Sequence, residues 1–206
     1  MIELDLTELV AGNVRPQGKR RQIGDFIQGF SRSGYFIGGG VVLNGNLFLG
    51  SRGNAGALAS FPVPGAKGAD QLIRVASFNV LERMIRETGG DQELLWSNPQ
   101  DWSGIGGPME RWMTDAARGI AIAAAGIVSV LDCTSIVIDG AMPPDVRRRL
   151  IAAVQAALKD VNTQGISPFA LHEGTIGADA RAMGAASLPL FDNFIIDRNV
   201  LFKEQT

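Results

Sequence analysis

Thiol and imidazole are scarce in this chain: 206 residues hold one cysteine, Cys133, and one histidine, His172. A single thiol builds neither a disulfide framework nor a cysteine-based zinc site within one molecule, and it fits a reducing cytoplasm. A charge of one sign is missing too. Nineteen Lys and Arg against 21 Asp and Glu leave a net charge of −2, so nothing draws the chain as a whole to nucleic acid, and direct DNA binding is not expected. The local exception, Arg15 with Lys19, Arg20 and Arg21, reads as a solvated loop. No basic segment followed by an apolar core opens the sequence, so a signal peptide is not expected. The longest apolar stretch, residues 119–131, is about 13 long where a bilayer span needs roughly 20. It predicts a buried helix and no membrane contact.

What is present suffices for a core. Apolar residues make up 46% and charged residues 19%, as in ordinary globular proteins, and the length suits one large domain or a domain and a half. Residues 1–11 space Leu4, Leu6, Leu9 and Val10 as a short helix would. Residues 26–30 and 35–43 read as strands, residues 47–49 as a returning strand, and residues 58–63 as an extended segment closed by Pro62 and Pro64. Leu72, Val75, Phe78, Leu81 and Ile85, three and four apart, predict an amphipathic helix over 71–86. Residues 96–107 break into a loop. Residues 109–131 form a long helix, whose Ala123-Ala124-Ala125-Gly126 run suits a neighbour packed backbone to backbone. A strand at 135–138, a helix at 144–160, a strand at 168–172 and a helix at 178–190 complete a mixed α/β layout.

The densest signal lies at residues 38–56. Gly38-Gly39-Gly40 opens it, and Asn44-Gly45 between apolar runs marks a tight hairpin, because both central residues need positive φ. Gly53-Asn54-Ala55-Gly56 follows. Glycines on both sides of a hairpin let a backbone approach a guest closely, usually a phosphate or a sugar; close packing between strands weighs equally. His172, beside Glu173, reads as a partly exposed histidine with an ordinary hydrogen bond. Trp96, Trp102 and Trp112 read as packing of the irregular segment onto a helix, ahead of stacking on a sugar ring.

The block around the hairpin resembles the ROK family of sugar kinases and sugar-responsive repressors. There it reads roughly GTGIGGG, strand, Asn-Gly, strand, GNAGEIGH, and residues Ile37 to Gly40 with Asn54-Ala55-Gly56 match. Ile136-Val137-Ile138-Asp139-Gly140 resembles the family's stretch ending in a glycine pair near the adenosine. Gly177-Ala178-Asp179-Ala180 with Gly184-Ala185-Ala186 resembles its closing GxDAxxxGAA motif, and Ala76-Ser77 with Leu81-Glu82 its helix after the zinc loop. The matches cover about residues 35–190. The resemblance implies an α/β lobe of the actin-like, ribonuclease-H-like ATPase fold, a mixed sheet with flanking helices. That lobe would occupy residues 35–206, behind an N-terminal helix and linker over 1–34. It also implies sugar contacts from Asn54 and Gly56, and contacts to ATP from Gly38, Gly39, Gly40, Gly140, Gly177 and Asp179.

Departures from the family pattern decide the functional expectation. The phosphate-holding Asp-x-Gly-Gly-Thr segment is missing, and neither Asp5 nor Asp25 has the neighbouring Asn of the family's general-base pair. Phosphoryl transfer needs several positioned parts at once, so no catalytic residue is assigned. Tyr35-Phe36 replaces a Thr-Gly pair, Ala57 a sugar-binding glutamate and Ser60 a zinc-ligating histidine; residues 65–71, in place of the cysteine-rich zinc loop, contain no cysteine. Zinc is therefore not expected. The reading is a truncated C-terminal lobe acting as a sugar-binding or dimerisation module, a homodimer in the cytoplasm, with little or no kinase activity. The alternative is an ATP-dependent hexose or N-acetylhexosamine kinase completed by a separate first lobe.

Overall fold

The computed structural model describes residues 2–5, 36–43, 46–65, 67–98 and 100–175. The strand expected at 26–30, the turn at 44–45 and the helix at 178–190 lie outside the described residues. The strands are β1 (Ile2–Asp5), β2 (Gly38–Leu43), β3 (Asn46–Phe48), β4 (Pro62–Gly65), β5 (Gly68–Gln71), β6 (Ser135–Asp139) and β7 (Ala170–Glu173). The helices are α1 (Ile73–Ala76), α2 (Phe78–Glu87), α3 (Leu94–Ser97), α4 (Gly107–Leu131) and α5 (Pro144–Leu158).

The main sheet has the order β3-β2-β1-β6-β7. β1, β2 and β3 pair antiparallel, while β1–β6 and β6–β7 pair parallel. The beginning of the chain thus supplies the central strand, not the expected helix. Ile2-Glu3-Leu4-Asp5 alternates apolar and acidic residues, a period of two. A parallel neighbour requires a crossover, and the segment carrying α1 to α4 provides it. The register pairs Leu43 with Asn46 across the expected hairpin turn.

Three further expectations are corrected. Residues 58–63 are not one extended segment: Leu58–Ser60 forms a 3₁₀ turn, and β4 begins at Pro62 and continues past Pro64. Both prolines fit because β4 pairs only with β5 and keeps a free edge. The helix expected over 71–86 is two helices, broken at Ser77, whose backbone is extended (φ −74°, ψ 155°). The space beside Gly126 is filled by a side chain, with the Phe61 ring 2.6 Å from where a Cβ would stand.

The core gathers on α4. Trp112, Ala116, Ile120, Ala123 and Ala124 are fully buried and meet Phe78, Leu81 and Ile85 of α2, Leu150 and Val154 of α5, and Ile136 and Ile138 of β6 in one cluster. At 25 residues α4 is long and apolar enough to cross a membrane, more than its apolar end alone suggested. Its burial against α1, α2 and α5 makes it the core helix of this fold. Trp102 and Trp112 pack on Phe78, with ring centroids 5.2 and 5.7 Å away. Trp96 stays at the surface.

Candidate ligand site

The glycine triplet is part of a strand. Gly38, Gly39 and Gly40 lie opposite Asp5, Leu4 and Glu3 of β1. Gly56, in the loop after β3, has φ +78°, and a Cβ there would stand 2.8 Å from Gly40 Cα and 3.2 Å from Gly39 O. The glycines of the two motifs are therefore used on each other: loop backbone rests on strand backbone. The loop is tied down by Ala55 N–H donating to Leu49 O (2.9 Å) and Gly53 N–H donating to Gly50 O (3.3 Å). Asn54 remains exposed on it. Gly39, Gly40, Asn54 and Gly56 are thus brought together.

A second group lies at one end of the sheet. The register places Gly38 beside Asp5 and Asp5 beside Asp139, so Gly38 and Gly140 share one edge, about 10 Å apart by two strand spacings. The carboxyl ends of parallel strands are where open α/β sheets take ligands. Here that edge carries a buried ion-pair cluster. Arg147 of α5 donates from Nη1 to Asp139 Oδ1 (2.9 Å) and from Nε to Glu173 Oε1 (3.0 Å), while Gly140 N–H donates to the same Asp139 oxygen (2.8 Å). Arg147 and Asp139 are 8% and 3% exposed. Gly174 leaves room for the Asp139 side chain, since a Cβ there would fall 2.4 Å from Asp139 Cβ. Among the described residues, two carboxylates share the Arg147 guanidinium at this end of the sheet. Gly177 and Asp179 lie outside the described residues.

Ser77 links the two regions to the helices. Ile37 N–H donates to its Oγ (3.0 Å) and Trp112 Nε1 to its carbonyl (3.2 Å), both buried. These bonds pull Ser77 out of the helix and hold the start of β2 against α2 and α4. Neither Ser77 nor the Arg147 cluster was assigned from sequence. A signal for Arg147 existed: it shares a helical face with Leu150 and Ile151, and an arginine on an apolar stripe implies a buried partner. His172 is exposed on β7. Gly65 ends β4 and residues 68–71 form β5, its partner, and no metal-binding group of three His, Cys, Asp or Glu occurs among the described residues.

A central parallel strand flanked on one side by an antiparallel meander, with helices packed on it, defines one lobe of the actin-like, ribonuclease-H-like ATPase class. No family model matches the chain. Individual proteins do. The bifunctional enzyme NanE/NanK of Brucella melitensis biotype 1 is 31% identical over 159 residues, 74% of this chain and 28% of that enzyme. The ROK hexokinase from Thermus thermophilus superimposes with a TM-score of 0.51 at 27% identity, over 74% of this chain and 53% of the hexokinase. A ROK family transcriptional regulator, a homolog of the E. coli MLC protein, superimposes with a TM-score of 0.51 at 18% identity, over 76% and 43% of the two chains. The chain is thus similar to one lobe of ROK-family sugar kinases. It spans between about a quarter and a half of the length of these relatives.

Proposed function

We propose that this chain is a sugar-binding and dimerisation module of the ROK family, with little or no phosphoryl transfer of its own, working in the cytoplasm. The observation that carries the reading is the contact of Gly56 with Gly40. It spends the glycines on the fold and leaves Asn54 exposed on the loop, beside the exposed Ser51 and Arg52. An amide can donate and accept, which suits sugar hydroxyls. No Asn-Asp pair stands in residues 1–37, ahead of the hairpin. A sugar held on this exposed loop stays partly in solvent, so binding is weak. Calorimetric titration with glucose, N-acetylglucosamine and ATP, beside a coupled kinase assay, tests it. Weak sugar binding without turnover supports the proposal, and turnover by the chain alone overturns it.

Self-association belongs to the same reading. Phe36, Phe48 and Val130 are 40, 43 and 80% exposed, and closed two-fold dimers are the commonest assembly of soluble chains. A monomeric mass by light scattering at high concentration would contradict a homodimer. The names of the relatives favour a second reading, an ATP-dependent sugar kinase completed by another lobe. It requires activity to appear only when that lobe is added.

A further inference from the structure

Two pairs of glycines bracket one segment of the crossover. Gly89 and Gly90 follow α2, Gly106 and Gly107 open α4, and residues 91–98 and 100–105 are described between them. Gly89 has φ +73°, and Gly106 has φ +66° with ψ −135°. A Cβ on Gly89, Gly106 or Gly107 would meet nothing within 4 Å. Backbone turned where few side chains follow, with open space around it at a helix end, is what a hinge needs.

The segment between the pairs is closed on itself. Among the described residues its backbone hydrogen bonds stay inside it. Leu95 N–H donates to Gln92 O (3.3 Å), Ser97 N–H to Glu93 O (2.8 Å), Asp101 N–H to Asn98 O (3.1 Å) and Ile105 N–H to Trp102 O (3.1 Å). The Asp91 and Asp101 carboxylates accept from Glu93 N–H and Ser103 N–H, both at 2.9 Å. Leu94 of α3 packs back on the later turn, its Cδ1 3.7 Å from where a Gly104 Cβ would stand. The buried side chains of Leu95, Trp102 and Ile105 hold the segment to the rest of the fold.

That grip has two flaws. Three buried side-chain polar atoms lack a partner among the described residues, and two of them belong to this segment, Gln92 Oε1 and Trp102 Nε1. Each loses water when the segment is seated and gains no bond in return, which works against the seated position. Trp112, which also packs on Phe78, differs: its Nε1 donates to Ser77 O at 3.2 Å.

We infer that this segment is a strap that lifts off α2 as one body about the two glycine pairs, while the sheet and α4 stay folded. Lifting hydrates the Gln92 amide and the Trp102 indole and leaves the strap's own hydrogen bonds intact. It uncovers the Phe78 ring, against which Trp102 stands edge-on with 5.2 Å between centroids. The device is local, and the core on α4 does not take part in it.

Indole hydrogen exchange in the full chain, followed by NMR, reads the motion without any substitution, because the Trp102 N–H has no bond of its own to break. The Trp102 N–H exchanges at least about 100-fold faster than that of Trp112, and low urea leaves its rate unchanged, since lifting exposes little surface. Gln92→Met, of similar length but without the amide, slows Trp102 exchange by about fivefold or more. Ile105→Cys probes a second anchor. Opening constants from labelling the introduced thiol and from Trp102 exchange in the same variant agree within about threefold, as one body requires. Trp102 exchange as slow as that of Trp112 overturns the inference, because the segment then opens only when the whole protein does. Opening constants that disagree by more than that margin overturn it too, as does Gln92→Met without effect on the exchange.

Discussion

Gly53 and Gly56 stand three residues apart, both with positive φ (+69° and +78°), yet only Gly56 is crowded. An alanine at either must adopt a left-handed backbone, which costs about 1 kcal/mol or somewhat more. At Gly53 nothing lies within 4 Å of the added carbon, so Gly53→Ala should cost only that. At Gly56 the carbon meets Gly40 backbone, which cannot rotate away, so Gly56→Ala should cost about 3 kcal/mol by urea denaturation. Equal losses would show that the loop does not rest on the strand. Arg147 holds two carboxylates, one of them buried. Arg147→Met should destabilise by about 3–5 kcal/mol, because Asp139 would stay buried without a cation. Arg147→Lys should recover only part of it, since an ammonium lacks the fork that reaches Asp139 and Glu173 together. The Cys133 thiol is pushed up by burial. A raised thiol favours the folded state at neutral pH, and that contribution is lost as pH rises past the ordinary thiol value. Alkylation of Cys133 should be slow in the native protein and fast in denaturant; fast native labelling would contradict its burial.

At the level of elements, periodicity is a reliable guide where one face is buried and a poor one where a single side chain overrules it. α4, α5 and β6 were legible because their apolar positions repeat over whole turns or a buried run. The break between α1 and α2 was not legible, since Leu72, Val75, Phe78 and Leu81 continue the helical spacing straight through Ser77. What interrupts it is a hydroxyl bonded to Ile37, 40 residues earlier. Ser77→Ala leaves that buried N–H without a partner and should cost about 1–3 kcal/mol by thermal or urea melts. A neutral result would mean that the break has another cause. β1 failed for a related reason. Four residues fit a period of two as well as a helical turn, and its partners lie far along the chain. In the candidate site, the juxtaposition of Gly40 with Gly56 was readable from glycine placement. The cluster of Asp139, Arg147 and Glu173 joins three separate elements, and sequence hints only at the arginine.

For the whole molecule, the hairpin of β4 and β5 stands where zinc-holding relatives of the resemblance carry their cysteines, and its pairing rests on backbone hydrogen bonds. Chelator treatment should therefore leave the melting temperature within about 1 °C of its untreated value. A larger drop would reveal a structural metal. The placement of β1 at the centre of the sheet also sets a schedule for the growing chain. Once Ile2 has been made, its parallel partner Ile136 follows only after some 130 further residues. At roughly 5–20 residues per second that is a delay of about ten seconds. Through that interval the strand that later joins both halves of the sheet can pair only with β2, and its other edge is open to neighbouring nascent chains. Fast translation, or a chaperone that shields β1, should then raise soluble yield more than any change in the finished core.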